Sequence, residues 1–164
     1  MQISQIKELY DYTRWADERL WQTVAGLNEE QLDIDMQNGI GSILTTLLHM
    51  ANGMCTWRTR WQGGTPTTIL QRADFPTLQS VRERWQEEEA QLQRFLNTLS
   101  DEDLHQEVRY RRPGAPVQEF AQPLWKTMLH LVNHHTQHRS EIAMQLTSLG
   151  HSPGELGMSN FFNR

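Results

Sequence analysis

The sequence predicts an all-α protein, a four-helix bundle with one small β-hairpin ahead of its last long helix. Four segments carry apolar residues at steps of three and four, the period of an amphipathic helix. Between His105 and Phe120 the period changes to alternation around Pro113-Gly114, as in a hairpin. Four amphipathic helices joined by fairly long connections favour a helical bundle. No internal repeat or long linker divides the chain, so we expect one domain over residues 1–164.

The first helix is predicted from Ile3 to Leu27. Its apolar stripe consists of Ile3, Ile6, Leu9, Tyr10, Thr13, Ala16, Leu20, Thr23, Val24 and Leu27. Asn28 and Gln31 then form a capping-box pattern, which predicts a short helical turn through Leu32. The pair Asn38-Gly39 predicts a turn before the next helix.

The second long helix is predicted from Ile43 to Gln62. Ser42 has a side chain that suits an N-cap, and Gly63-Gly64 ends the helix. One stripe of this helix contains Ile43, Leu47, Met50, Met54, Trp57 and Trp61. We therefore expect this helix to bury its aromatic and methionine side chains.

A polar loop bracketed by prolines, Thr65 to Pro76, leads to the third long helix, which Thr77 caps and which we expect to end at Leu99. Its inward residues are Leu78, Val81, Trp85, Leu92, Phe95 and Leu96. Another short turn is predicted to begin at Ser100-Asp101-Glu102-Asp103.

The fourth helix is the longest and is predicted from Pro123 to His151. Pro123 suits a first helical turn, and Gly150 suits a left-handed residue after the last turn. One narrow stripe contains Leu124, Met128, Leu131, Ile142, Leu146 and Leu149. In the tail, the pair Phe161-Phe162 is expected to pack on the bundle.

Composition and charge exclude several classes of protein. The net charge is −5 and no basic stripe is present, which argues against nucleic acid as a partner. The single cysteine, Cys55, allows no internal disulfide and agrees with a reducing cytoplasm; we expect it to be a small buried thiol. No signal segment opens the chain, and no apolar run approaches the ~18 residues of a membrane span. These features predict a soluble cytoplasmic protein.

A column of imidazoles lies beside the stripe of the fourth helix. His130, His134 and His138 follow one another at four-residue steps, so neighbouring rings can reach one metal ion. By rotation, His134 and His138 should be half-buried, His130 should lean towards water and His135 should point into the stripe. The same spacing also arises by chance in a chain with seven histidines. The column alone is therefore also consistent with ordinary surface or core histidines.

A third ligand would have to come from another helix. His49 is the candidate, although it lies about 120° from the centre of its own stripe. Glu141 is either a partner for an imidazole N–H or a plain surface glutamate, and the second interpretation is favoured. Other metal and catalytic patterns are weaker. The one Glu-x-x-His pair, Glu102 to His105, falls in a connector, and His-Glu-x-x-His is absent.

Several stretches together resemble the DinB/YfiT-like superfamily, over nearly the whole chain. These are YDYTRWADERL, GSILTTLLHMANGMCTW, EVRYRRPGAPV, LWKTMLHLVNHHTQHRSEI and SLGHSPGEL. The resemblance implies an up-down-down-up bundle with a divalent metal, zinc or nickel, bound by His49, His134 and His138. It also implies a homodimer. Two positions depart from the family pattern: Met54 stands where many relatives have an acid, and Glu155 follows the Pro-Gly of the tail where an aspartate is common.

The resemblance leaves three functions open. Characterised members include thiol S-transferases that use low-molecular-weight thiols, so we expect a metal-dependent enzyme of that kind acting on a small molecule. A metal-dependent hydrolase is the first alternative. The second is a non-catalytic, stress-related bundle that holds metal without turnover. A haem protein is a more distant alternative, because His49 and a histidine of the last helix could supply axial ligands. The sequence indicates no catalytic acid or base.

Overall fold

The computed structural model describes residues 1–37, 39–67, 69–112 and 116–164, with the side chain of Arg112 left aside. It confirms the predicted fold class. The four long helices and two short ones are α1 (Ile3–Val24), α2 (Glu29–Asp33), α3 (Ile43–Trp61), α4 (Leu78–Thr98), α5 (Leu124–Ser148) and α6 (Met158–Phe162). The strands β1 (Glu107–Arg112) and β2 (Gln118–Pro123) precede α5. Within the described residues, no helix combines the length and the apolar character that a membrane crossing requires.

Helices α2, α3 and α4 begin where a side chain satisfies one of their free N–H groups. The Ser42 hydroxyl accepts a hydrogen bond from the Thr45 amide at 3.3 Å. Thr77 accepts one from the Ser80 amide at 3.1 Å. Asn28 and Gln31 form the expected capping box. The three predicted N-caps are therefore confirmed.

Contacts between the helices define the bundle topology. Tyr10 and Asp17 of α1 bond to Met128 and His135 of α5, so these two helices run parallel. Trp61 bonds to Thr127 near the start of α5, whereas Gly41, just before α3, bonds to Gln145 near its end, so α3 and α5 are antiparallel. Trp61, the last residue of α3, stacks on Phe95 near the end of α4, so these two helices run parallel. This is an up-down-down-up bundle.

Helix α5 packs against both α1 and α3, and α4 packs on α3. The core residues on α5 are buried at three- and four-residue steps, among them Met128, Leu131, Ile142 and Leu146. They meet Ile6 and Leu20 of α1 and other apolar residues of the same cluster. One helix thus presents separate faces to α1 and to α3.

The hairpin is antiparallel, with Tyr110 opposite Phe120 and Val108 opposite Gln122. Val108 is buried, and the rings of Tyr110 and Phe120 stack. The predicted turn at Pro113-Gly114 lies outside the described residues, and so does Asn38 of the other predicted turn.

Some element boundaries differ from the prediction. Helix α1 ends at Val24, three residues early, because Asn28 must be extended to cap α2. Pro123 is the last residue of β2 and caps α5 from outside its first turn. Gly150 does adopt the expected left-handed conformation, with φ at 84°.

In the tail, α6 was not predicted from the sequence. Phe161 packs against Tyr12 and Ala16 as expected, but Phe162 is 53% exposed. A helix places consecutive side chains about 100° apart, so only one member of the pair can face the bundle. Cys55 also differs from the prediction, because its side chain is only partly buried.

Candidate metal centre

Three imidazole rings meet between the outer edges of α3 and α5. His134 and His138 lie one turn apart on α5, and their ring centroids are 4.5 Å from each other. His49 of α3 lies opposite both rings, at 4.9 Å from His134 and 4.7 Å from His138. The three side chains become more buried along the set: His49 is exposed, His134 is half-buried and His138 is buried. The centre therefore has an open side at His49.

The nitrogen atoms of these rings are spaced as one shared ion requires. His134 Nε2 and His49 Nε2 are 2.9 Å apart. One nitrogen from each of the three histidines lies within 4.8 Å of the others. Two nitrogens on one tetrahedral ion, each about 2.0–2.1 Å from it, are roughly 3.3 Å apart, a value between these limits. The donor set fits a divalent ion with small movements of the rings.

Glu141 determines which nitrogen of His138 is available. Its Oε2 lies 2.7 Å from His138 Nδ1, and its Oε1 accepts a hydrogen bond from the Gln137 amide group. Because a carboxylate only accepts, Nδ1 of His138 donates the proton and Nε2 keeps its lone pair. The preference for a plain surface glutamate at position 141 was wrong. The sequence shows Glu141 three residues after His138, a spacing at which side chains on a helix meet.

The electrostatic environment keeps the rings of His49 and His134 neutral. Partial burial and the surrounding histidines lower the pKa of His134 to about 3. The pKa of His49 is also lowered, first by loss of solvent around the ring and then by His138, with Glu141 acting in the opposite direction. Neutral imidazole is the form that binds metal, so both rings are in the donor state at neutral pH.

Gly53 allows α3 to approach the ring of His134. A Cβ atom at position 53 would lie 2.9 Å from His134 Cε1, closer than such atoms pack. A glycine inside a helix costs about 1 kcal/mol relative to alanine. The close approach of α3 to the ring of His134 is a physical reason for a glycine at position 53. It lies four residues after His49, on the same side of α3.

The remaining histidines of α5 lie outside the cluster. His130 is exposed, as expected, and contacts the ring of Trp57 at 5.0 Å between centroids. His135 is 2% exposed, also as expected from its position in the stripe. Its Nδ1 lies 2.7 Å from Asp17 Oδ2 on α1.

Sequence reasoning missed the buried polar network that anchors α5. Asp17 is 2% exposed, and its second oxygen accepts a hydrogen bond from Arg139 at 2.8 Å. Arg139 also bonds to the hydroxyl of Tyr12 at 3.0 Å. The available signal was a charged residue inside an apolar stripe, since Asp17 lies four residues after Thr13 and three before Leu20.

The two anchors interleave with the histidines of the cluster. His135 and Arg139 each follow one of them by a single residue, and both bond to Asp17 on α1. His134 and His138 face α3 instead. The carboxylate of Asp17 therefore restrains the rotation of α5 about its axis, and with it the direction of the two imidazoles.

Comparisons with known proteins agree with this architecture. A sequence model described as the DinB family matches residues 1–161. Protein DinB from Bacillus subtilis (strain 168) is 23% identical over 164 residues, which cover 96% of this chain and 94% of that protein.

A solved structure has a similar fold. YfiT from Bacillus subtilis is described as a probable metal-dependent hydrolase with an unusual four-helix bundle topology. It superposes with a TM-score of 0.72 and covers 91% of this chain and 90% of its own, at 17% identity. At that identity the likeness concerns the fold.

Proposed function

Since the chain belongs to the DinB family, we propose that it is a metal-dependent enzyme whose ion is held by His49, His134 and His138. The observation that carries this proposal is the convergence of three imidazole nitrogens from two helices within 4.8 Å. The histidines are the ligands zinc and nickel accept, so we propose one of these two ions.

When bound by three neutral imidazoles, a divalent ion favours the thiolate form of a thiol and lowers the pKa of a water molecule. The protein's own residues prepare the centre. Glu141 holds the proton of His138 on Nδ1, and the low pKa of His134 leaves that ring unprotonated. Asp17 restrains α5 through His135 and Arg139. The exposed side at His49 gives a small molecule access.

We propose transfer of a low-molecular-weight thiol as the reaction. In this step the thiol releases its proton to solvent and its sulfur forms a bond to an electrophilic carbon. The bond between that carbon and the leaving group breaks, and the leaving group takes the electron pair. Hydrolysis would need a further group that moves protons, and the nearby carboxylate of Glu141 is already bonded to His138. Thiol transfer needs no such protein group, because a thiol whose pKa is lowered can release its proton to solvent and the resulting thiolate is itself the nucleophile.

Metal-dependent hydrolysis is the second candidate. It is favoured by the likeness to YfiT, which is described as a probable metal-dependent hydrolase. The same three histidines would serve, with water in place of the thiol. For either reaction we propose a small-molecule substrate, a cytoplasmic protein and a homodimer.

Metal content tests the ligand set directly. His134→Ala should lose stoichiometric zinc or nickel after purification or reconstitution, measured by elemental analysis. His130→Ala is the matched control, because it removes an exposed histidine one turn away on the same helix and should retain the metal. Full occupancy in the His134 variant would refute the assignment.

Activity assays separate the reactions. The zinc and nickel forms are tested for consumption of a small thiol with an electrophile, and for hydrolysis of esters and amides. We expect thiol transfer that is lost on chelation and in His49→Ala. Hydrolysis alone would favour the second candidate. Full metal occupancy without turnover in either assay would favour the non-catalytic alternative.

A further inference from the structure

A small cavity lies among the four long helices, with residues of α1, α3, α4 and α5 in its wall. Its volume is about 30 Å³. The apolar part of its wall consists of Met54, Leu92, Leu96, Leu131 and Val132. The polar side chains that line it include His135, Asp17, Thr13 and Tyr10. None of these belongs to the proposed ligand set.

His135 is the residue in this wall whose hydrogen bonding is incomplete. Its Nδ1 is bonded to Asp17, but its Nε2 is buried without a hydrogen-bond partner among the described residues. The ring is 2% exposed, so bulk water does not reach it freely. A buried polar atom without a partner is unfavourable, and most such atoms in proteins are paired.

The bond to Asp17 defines what Nε2 needs. A carboxylate accepts, so Nδ1 donates, and in the neutral ring Nε2 is then an acceptor. The neighbouring hydroxyl groups already use their protons, since Tyr10 donates to the Met128 carbonyl and Thr13 to the Leu9 carbonyl. Their oxygen atoms retain lone pairs. Arg14 and Gln93 also line the cavity and carry donor groups, but neither is bonded to Nε2. The group that Nε2 lacks is therefore a donor, and the hydroxyl and carboxylate oxygen atoms on α1 are acceptors for its second proton.

We propose that this cavity is a buried hydration site, in which a water molecule donates a hydrogen bond to His135 Nε2. The second proton of the water is directed to one of the acceptors on α1, namely Asp17, Thr13 or Tyr10. A cavity of about 30 Å³ holds one or two water molecules, whereas it is too small for a metabolite. The water completes the network that links Asp17 of α1 to α5.

A crystal structure at a resolution that orders internal solvent tests this directly. We expect a water peak about 2.7–3.2 Å from His135 Nε2, with a second hydrogen bond to an acceptor on α1. The expected ring tautomer, with its proton on Nδ1, is checked independently from the nitrogen chemical shifts of His135. A dry cavity, or a protein donor bonded to Nε2, would overturn the proposal.

Two matched variants test the site in solution. Val132→Ile adds one methylene group to the cavity wall, whereas Val81→Ile makes the same change at a buried valine of α4 outside the wall. Wild type and Val81→Ile should show cross-relaxation between a long-lived water and the side chains around His135, and Val132→Ile should lose this signal. Absence of the signal in the wild type would contradict the proposal, as would its persistence in Val132→Ile with a structure that shows the cavity filled.

Discussion

Gly53 and the ring of His134 occupy adjoining positions, and this contact makes a glycine inside α3 part of the proposed metal centre. A methyl group at residue 53 would meet His134 Cε1 at 2.9 Å, and the histidine ring is the part free to move. The helix itself tolerates alanine better than glycine. Replacing Gly53 with alanine should therefore lower the affinity for the metal, while the stability of the fold stays the same or rises.

Gly53→Ala should weaken zinc binding by about tenfold or more, the size of effect seen when groups that orient a ligand are disturbed. The melting temperature of the metal-free protein should stay the same or rise. Gly26→Ala is the control, because its added Cβ would meet only the Thr23 carbonyl at an ordinary 3.5 Å. Unchanged zinc affinity in Gly53→Ala would show that the close approach does not position His134.

The lowered pKa of His134 predicts a pH dependence of stability in the metal-free protein. Its pKa is about 3 in the folded chain, against an ordinary value of 6.5. Above pH 6.5 both states hold the ring neutral, and the contribution is constant. As the pH falls from 6.5 towards 3, the unfolded chain binds a proton that the folded chain excludes, so stability falls.

Urea unfolding of the metal-free protein at pH 7 and pH 5 measures this effect. The free energy of unfolding should fall more steeply in the wild type than in His134→Ala, which lacks the titrating group. An equal fall in both proteins would show that His134 is not held neutral by its surroundings.

At the scale of elements, α5 carries two functions on two faces. Its contacts with α3 bring His134 and His138 to His49, and its contacts with α1 join His135 and Arg139 to Asp17. Residues one position apart on a helix point about 100° away from each other, so the two sets do not interfere. The ion pair on one side restrains the histidines on the other.

Asp17→Asn should reduce both stability and affinity for the metal. The change leaves the buried charge of Arg139 without its carboxylate, a loss that typically costs about 3–5 kcal/mol. Chemical denaturation and zinc titration measure the two effects. Asp11→Asn, at an exposed ion pair on the same helix, should change stability by less than about 0.5 kcal/mol. Intact zinc affinity in Asp17→Asn would show that α5 is oriented by other contacts.

For the molecule as a whole, the proposed ion joins α3 to α5 across the bundle. A ligand that binds only the folded state stabilises it by an amount that grows with the logarithm of its free concentration relative to the dissociation constant. At a free zinc concentration of 100 times the dissociation constant, the gain is about 2.7 kcal/mol, or roughly 5–10 °C in melting temperature for a chain of this size.

Thermal unfolding with zinc and with chelator measures this gain. The wild type should show it, and His49→Ala should show little of it, since the link from α3 is then lost. An equal response of both proteins would indicate that zinc binds elsewhere.

The local features of this protein were determined by its sequence. The four long helices follow from apolar periodicity. Asn28, Ser42 and Thr77 are the N-caps of α2, α3 and α4, as their residue types predict. Gly150 takes its left-handed conformation, and the burial of His135 and exposure of His130 follow from their rotation about one helix axis. Each of these depends on interactions within a few residues along the chain.

Only the tertiary structure decided how the site is assembled. His49 lies far from the centre of its own stripe, yet α3 packs against two helices and its edge beside α5 brings the ring to His134. The sequence also did not reveal Asp17 as the partner of His135 and Arg139, because these bonds join α1 to residues of α5 more than 100 positions away. Periodicity defines the direction of a side chain around its own axis. The relative rotation and height of two helices are defined by packing and buried ion pairs, which no local pattern records.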